Sequence, residues 1–374
     1  MQPEKKKITP GRVLKAVWIF IPAILAAAMY FILPMFPEFT EYAVSRGLFR
    51  VYTVPVGFLT SLVPISLTEL CAVLAIPAVI ALIIVFIVRM KRSASRKKTA
   101  LRAGRFLAGF VSFALFIYMT AHGANYYRMS AEQLMELDTS PKSTEFLLEV
   151  CRDLAAHAAE ERELLTEDEN GCVEFPEDIW TELTRTGSGY DKLTEEYPFL
   201  WGASWRQKPV QLSYYWSYTG IVGMYFPFLA ECNINTAQPD FCIPWTASHE
   251  SAHSRGIAFE NECNFFAYLS CINSEYPEFR YSGYMNAFKY CSNALYSADR
   301  ELWQQAYACT TEGMRRDFTA ENEYIKSFEG EVKQTSTAVN DGFIKAQGVS
   351  DGERSYGRVT DLILAYYAKN GGVS

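Results

Sequence analysis

The chain has 374 residues, 49% of them hydrophobic, and a formal net charge of −7, and that length leaves room for roughly two or three domains. The charge is unevenly distributed: of 35 basic and 42 acidic residues, residues 1–122 hold 15 and 4 (net +11), which leaves 20 and 38 (net −18) for residues 123–374. A basic, apolar first part and an acidic second part predict a membrane anchor followed by a soluble domain, and the acidity argues against nucleic acid as a partner.

Three apolar runs in residues 1–122 predict membrane helices. Residues 16–36 and 68–88 are each about twenty residues long, which is enough to cross a hydrocarbon layer of about 30 Å. The third run, 106–122, lies at the short end of the spanning range; we interpret it as a third span, with an interfacial or buried helix as the alternative. We therefore expect the chain to contact a lipid bilayer through these three helices.

The basic residues predict how the helices are oriented. Lys and Arg are frequent before the first run and between the second and third, whereas residues 37–67 hold only Arg46 and Arg50. Because positively charged loops stay in the cytoplasm, the N-terminus and residues 89–105 are expected there. The chain is then a multi-pass protein of the plasma membrane, and everything after about residue 123 is extracytoplasmic.

Eight of the nine cysteines fall in the predicted outer domain. An even number of cysteines outside a membrane permits disulfides, but the sequence does not choose among the possible pairings. Buried free thiols are the alternative.

Helical periodicity is clear in parts of the outer domain. Residues 130–165 read as helical, with a capping box at Ser130 and Gln133. Residues 282–335 also read as helices, residues 339–352 as a polar connection, and residues 355–367 as a closing amphipathic helix. The aromatic stretch 214–228 fits either a strand or a buried helix, and periodicity does not decide between them.

Residues 249–253 read His-Glu-Ser-Ala-His, an HExxH pattern. On a helix, which we expect from about Pro244 to Arg255, His249 and His253 lie on one face about 6 Å apart. Two imidazoles so placed can hold Zn²⁺, and Glu250 between them can act as general base on the zinc-bound water. The pattern arises by chance in roughly one in a hundred chains of this length. However, the chain has only four histidines, and two of them are in this motif.

A zinc site of this type needs a third protein ligand. Gly256 is expected to end the first helix in a left-handed conformation, and a second helix is expected to begin near Phe259. Glu260 and Glu262 are the candidate ligands; being two residues apart, they point about 200° away from each other. Glu260 shares a face with Asn264, which can hydrogen-bond a ligating histidine. We therefore favour Glu260 as the ligand and place Glu262 on the surface.

The pattern HExxH followed by Glu-Asn-Glu-Cys-Asn at 260–264 resembles the gluzincin metallopeptidases. The chain also resembles a bacterial family of uncharacterised multi-span membrane proteins, a domain-of-unknown-function family with an HExxH peptidase signature. This resemblance rests on residues 225–228, 249–269 and 355–358, and on the N-terminal spans. It implies a zinc peptidase acting on a peptide or protein substrate, with a zincin-like domain.

In HExxH peptidases, a strand just before the zinc helix commonly pairs with the extended substrate. Residues 229–235 alternate in part between polar and apolar side chains, and we take them as that edge strand, with an ordinary loop as the alternative. Glu231 and Asn233 are then candidate substrate-binding residues. Tyr281 and Tyr356 are further candidates.

The sequence therefore predicts a mainly α protein: three transmembrane helices in 1–122, then an α-rich (α+β) zincin-like extracytoplasmic domain in 123–374 with a small edge sheet. The predicted function is zinc-dependent peptide hydrolysis outside the cytoplasm. The residue that stabilises the oxyanion is left open among four candidates, for each of which core packing is the alternative role: Tyr281, Tyr284, Arg354 and Tyr356.

Two other kinds of protein remain open at this point. One is a binding or sensor protein whose zinc site is not catalytic, and the other is a metal-free membrane-anchored binding protein. The sequence does not predict the oligomeric state.

Overall fold

The structure is a computed structural model that describes residues 17–347 and 358–371. The described chain is mainly helical, with one small three-stranded sheet. Tyr356, one of the predicted site residues, and Arg354 lie outside the described residues.

Three helical segments are long and apolar enough to cross a membrane, in agreement with the sequence. The first, Trp18–Met35, contains α1 (Ile21–Ile32) between two short 3-10 helices. The others are α4 (Leu67–Arg92) and α5 (Arg96–Ala121). Helix α5 begins ten residues before the apolar run predicted at 106, because its basic N-terminal residues continue the same helix.

The segment between the first two spans is helical, although the sequence suggested only a loop. It contains α2 (Pro37–Phe39), a π-helix (Thr40–Leu48) and α3 (Phe49–Ser61). This segment packs against the rest of the protein: the Tyr52 hydroxyl donates to the Phe228 carbonyl over 2.9 Å. A hydrogen bond therefore joins this segment to the aromatic stretch 214–228.

Twelve further α-helices follow in the described residues. They are α6 (Ala131–Leu134), α7 (Thr144–Arg162), α8 (Ile179–Thr184), α9 (Gly187–Glu196), α10 (Ser213–Ser217), α11 (Ile243–Ser254), α12 (Glu260–Ile272), α13 (Pro277–Ala298), α14 (Arg300–Ala308), α15 (Glu312–Ser327), α16 (Glu331–Ala346) and α17 (Val359–Asn370). The predicted capping box at Ser130 and Gln133 is present at α6. The polar connection predicted at 339–352 is wrong in its first part, because α16 continues through Ala346.

The sheet has the order β1-β3-β2, with strands β1 (Lys208–Pro209), β2 (Gly223–Phe226) and β3 (Glu231–Ile234). Strand β3 pairs in parallel with β1 and antiparallel with β2, so it is the central strand. The sequence correctly placed a strand at 229–235, but its position at the edge was wrong. The edge strand next to α11 is β2, which lies in the stretch that periodicity could not assign.

The main core forms where α7 packs along α13, with α12 and α17 closing it. The apolar stripe of α7 is buried as expected, with Val150, Cys151 and Leu154 at 0% exposure. All nine cysteines are free thiols, which decides between the two alternatives left by the sequence.

Candidate metal centre

Helix α11 carries the HExxH motif and ends where the sequence places its stop. Pro244 lies in its first turn, where the missing amide proton costs no hydrogen bond. Gly256 follows the helix with φ = +83°, a left-handed conformation that favours glycine. The Ile257 amide then donates to the Ala252 carbonyl, and the chain turns into α12. This turn brings Glu260, the first residue of α12, back over the histidines.

The two histidines and Glu260 converge. The imidazole rings of His249 and His253 are 5.0 Å apart between centroids. The Glu260 Oε2 atom lies 3.0 Å from His249 Nε2 and 3.7 Å from His253 Nε2. Glu260 therefore lies beside the Nε2 atoms of both histidines, and two histidines with one glutamate are residue types that can hold a catalytic zinc ion.

The other ring nitrogens have partners that fix the tautomers. His249 Nδ1 lies 2.8 Å from Asn264 Oδ1, and His253 Nδ1 lies 2.9 Å from the Ile257 carbonyl. Each of these oxygens accepts, so each Nδ1 donates, and each Nε2 is the ring nitrogen that faces Glu260. The predicted contact of Asn264 with His249 is present, and the Asn264 Nδ2 donates to Tyr290 Oη over 3.2 Å.

Glu260 and Glu262 lie in different surroundings. Burial alone would raise the pKa of Glu260, but the neighbouring His253 and His249 outweigh it and hold that pKa below its ordinary value. Glu262 points away from the histidines and accepts a hydrogen bond from the Ala131 amide over 2.8 Å. It is buried, so the surface position expected for it is wrong, and burial raises its pKa to about 7.

Cys263 is an alternative to Glu260 as the third protein ligand. The Cys263 sulfur and one ring nitrogen from each of His249 and His253 lie within 4.8 Å of one another. Its Sγ, however, lies 3.3 Å from His253 Nδ1, the nitrogen already bonded to the Ile257 carbonyl. Burial also raises the pKa of the thiol to about 12, which disfavours the thiolate that binds metal. Glu260, in contrast, faces the Nε2 atoms of both histidines.

Glu250 lies between α11 and strand β2. Burial raises the pKa of its carboxyl group above the ordinary value. A Cβ atom at Gly223 would lie 2.6 Å from Glu250 Oε1, so this close approach of the strand requires glycine. The sequence analysis did not identify Gly223; the glycine inside an aromatic, strand-like stretch was the available signal.

A cavity of about 660 Å³ is lined by His249, Glu250, His253 and Glu260. Strand β2 forms one wall, and α16 forms another with Thr337, Asn340 and Phe343. Tyr118 and His122, from the end of the third span, line the same cavity. That volume is within the usual range of ligand-binding pockets.

His122 is a candidate functional residue that the sequence analysis missed. It follows directly after α5, its ring lies 5.7 Å from that of His253, and only 9% of the residue is exposed. Among the described residues, its Nδ1 has no hydrogen-bond partner. The available signal was the small number of histidines, but nothing local in the sequence links residue 122 to residue 253.

The remaining predicted site residues lie elsewhere. Glu231 accepts hydrogen bonds from the Leu67 and Thr68 amides, and Asn233 contacts Ser66, so both hold the start of α4 and do not line the cavity. The Tyr281 hydroxyl donates to Asp317 over 2.6 Å inside the core.

Tyr284, another of the predicted oxyanion donors, also lies outside the cavity, because its ring stacks on His157 at the surface.

The chain belongs to the family described as Protein of unknown function (DUF3810), which matches residues 44–364. That match covers α3 to α17 and therefore includes the whole candidate site. Neither the curated proteins nor the solved structures contain a match to this chain.

Proposed function

We propose that this protein is a membrane-anchored, zinc-dependent metallopeptidase that hydrolyses peptide bonds outside the cytoplasm. One observation carries the proposal: Glu260 Oε2 lies 3.0 Å from His249 Nε2 and 3.7 Å from His253 Nε2, and the buried Glu250 lines the same cavity. In HExxH hydrolases this combination supplies both the metal ligands and the general base.

These residues fit zinc, because three protein ligands leave a fourth coordination position free. When bound, Zn²⁺ would act as a Lewis acid on the attacking water and the substrate carbonyl. Asn264 and the Ile257 carbonyl orient the imidazoles by accepting from their Nδ1 atoms. Such contacts keep both ligands in the tautomer that the metal requires.

Glu250 is the general base. It takes a proton from the attacking water and returns it to the leaving amine. Its raised pKa suits the first of these steps, since a carboxyl group of higher pKa accepts a proton more readily.

Strand β2 would bind the substrate backbone. It pairs with β3 along one edge, and its residues line the cavity, so an extended peptide can add to its free edge. Glu231 and Asn233, first considered as substrate-binding residues, would act indirectly by fixing β3 beneath this strand.

His122 is the residue we assign to the oxyanion of the tetrahedral intermediate. It faces the same cavity as Glu250, whereas Tyr281 and Tyr284, expected from the sequence, lie outside it. A buried N–H donor aimed at the developing charge is worth about 10²–10³ in rate.

The experiment uses full-length protein purified in detergent or nanodiscs and a mixed peptide library. We expect cleavage that is lost on chelation, restored by Zn²⁺, and abolished by Glu250→Gln. The matched control is Glu262→Gln, a buried glutamate on the same helix pair that does not face the cavity. Cleavage that survives Glu250→Gln, or its absence from zinc-loaded wild-type protein, would contradict the proposal.

A further inference from the structure

The walls of the cavity are attached to the ends of the membrane helices. At the third span, Tyr118 lies in the last turn of α5 and His122 directly follows it, and both line the cavity. The ring of His122 is 5.7 Å from that of His253. Although the motif lies far along the chain from this span, the metal centre is in direct contact with its end.

The second span is joined to the opposite wall. The carboxylate of Glu231 on β3 accepts from the Leu67 and Thr68 amides at 2.9 and 3.2 Å, and so caps the first turn of α4. Asn233 donates to the Met224 carbonyl over 3.2 Å. Because Met224 belongs to β2, this network fixes the substrate strand to the end of α4.

Helix α16, the third wall, rests on the first and third spans. The Tyr30 hydroxyl donates to the Ala346 carbonyl at the end of α16 over 3.3 Å. The rings of Phe343 and Tyr118 are in edge-to-face contact, with centroids 6.1 Å apart. All three membrane helices therefore position a wall of one cavity.

The lengths of the spans place the cavity at the membrane surface. A hydrocarbon layer of about 30 Å takes up about 20 helical residues. Counted from Arg102, such a layer ends near Ala121; counted back from Arg89, it ends in the first turn of α4. The hydrocarbon layer thus ends at the level where the cavity begins, and apolar residues at the cavity, Val222 and Phe343, are each 43% exposed.

From this arrangement we infer that the substrate is the juxtamembrane segment of a membrane-anchored polypeptide, cleaved within the first few residues outside the bilayer. This inference rests on the proposed function and adds the substrate class. A segment tethered in the same bilayer reaches the cavity at a high effective concentration. A segment that lies farther from the membrane surface does not reach β2 and α16, because the spans hold these two elements at the membrane.

The test compares one cleavable peptide in three forms, with full-length protein in liposomes. The peptide is attached to a membrane helix through a spacer of about 3 residues, attached through a spacer of about 20 residues, or left free. We expect the short-spacer form to be cleaved at least about tenfold faster than the other two. Equal or faster cleavage of the free form overturns the inference and leaves the proposed function intact, whereas no zinc-dependent cleavage of any form overturns both.

A second measurement does not depend on activity. Spin labels are placed at Val222→Cys, at the cavity, and at Leu164→Cys, an exposed control position just beyond α7, with Cys71 and Cys309 replaced by serine. We expect the Val222 label to show the high oxygen and low nickel-chelate accessibility of the membrane interface, and the Leu164 label to behave as in water. A fully aqueous Val222 label would overturn the inference whatever the catalytic result.

Discussion

Two groups of buried polar residues in this molecule are built in opposite ways. In the anchoring cluster, each carboxylate meets a cation or backbone amides, as in the contact of Glu41 with Arg128 at 2.7 Å. In the cleft cluster, carboxylates and imidazoles converge on a cavity, and no Lys or Arg among the described residues forms an ion pair with Glu250 or Glu260. The anchoring cluster consists of Glu41, Arg128, Lys208, Glu231 and Asn233, and the cleft cluster of His249, Glu250, His253 and Glu260.

The difference teaches how buried charge is used in this molecule. Paired charges in the anchoring cluster join the segment between the first two spans to the turn between α11 and α12. Arg128 bonds Glu41 in that segment and the carbonyl of Gly256 in that turn. Breaking such a pair costs stability, because the remaining charge stays buried. Glu250, His253 and Glu260 in the cleft instead have shifted pKa values, which is typical of functional sites.

The largest effect is expected in the anchoring cluster. Glu41→Gln leaves Arg128 buried without a carboxylate partner and should lower the free energy of unfolding by about 3–5 kcal/mol. Thermal unfolding of the full-length protein in detergent measures the change. The matched control is Glu38→Gln, an exposed residue in the same segment, which should change it by less than about 0.5 kcal/mol. Equal effects in the two variants would show that the ion pair does not hold the regions together.

In the cleft, Glu250→Gln should lower the activity and leave the stability intact. We expect peptide hydrolysis to fall by about 10²–10⁴-fold, the usual contribution of a general base. The melting temperature should be unchanged or higher, because burial raises the pKa of Glu250 and its charged form is unfavourable there. A large loss of stability would mean that Glu250 has a structural role like that of Glu41.

His122 should have a smaller effect on rate. His122→Gln is expected to lower kcat by about 10²-fold, with little change in KM or bound zinc, because the contact forms only as the oxyanion develops. Steady-state kinetics and metal analysis on the same preparation check both parts. A loss of zinc would identify His122 as a ligand instead, and an unchanged kcat would remove it from the reaction.

The smallest effect concerns the contact between α3 and the end of β2. Tyr52→Phe removes the hydrogen bond to the Phe228 carbonyl and should cost about 1 kcal/mol of stability. Tyr42→Phe, at an exposed position in the same segment, is the control and should have no effect. A change in kcat without a change in stability would mean that this contact positions β2 for the substrate.

Local features of the site could be predicted because they follow from helix geometry. The spacing of His249, His253, Glu260 and Asn264 and the stop at Gly256 all depend on a period of 3.6 residues and a left-handed cap. The structure brings these four side chains together as that spacing indicates. The three spans could be predicted equally well, since length and hydropathy are enough to identify them.

The features that depend on tertiary contacts could not be predicted from the sequence. His122 was interpreted as the end of a membrane helix, because nothing near residue 122 indicates a contact with His253. Residues 231–234 alternate as a strand should, but alternation does not state which strands lie on either side, so β3 was taken for the edge. Glu231 was interpreted as a substrate contact because its true partner, the start of α4, lies far away in the chain.

The zinc content of the full-length protein tests the central claim most directly. We expect about one zinc per wild-type chain, retained in Glu262→Gln and lost or weakened by about 10²-fold or more in Glu260→Gln. Both variants neutralise one carboxylate in the first turn of the same helix, so a general effect on folding would change both. Zinc that survives Glu260→Gln, or its absence from folded wild-type protein, would contradict the account of the cleft.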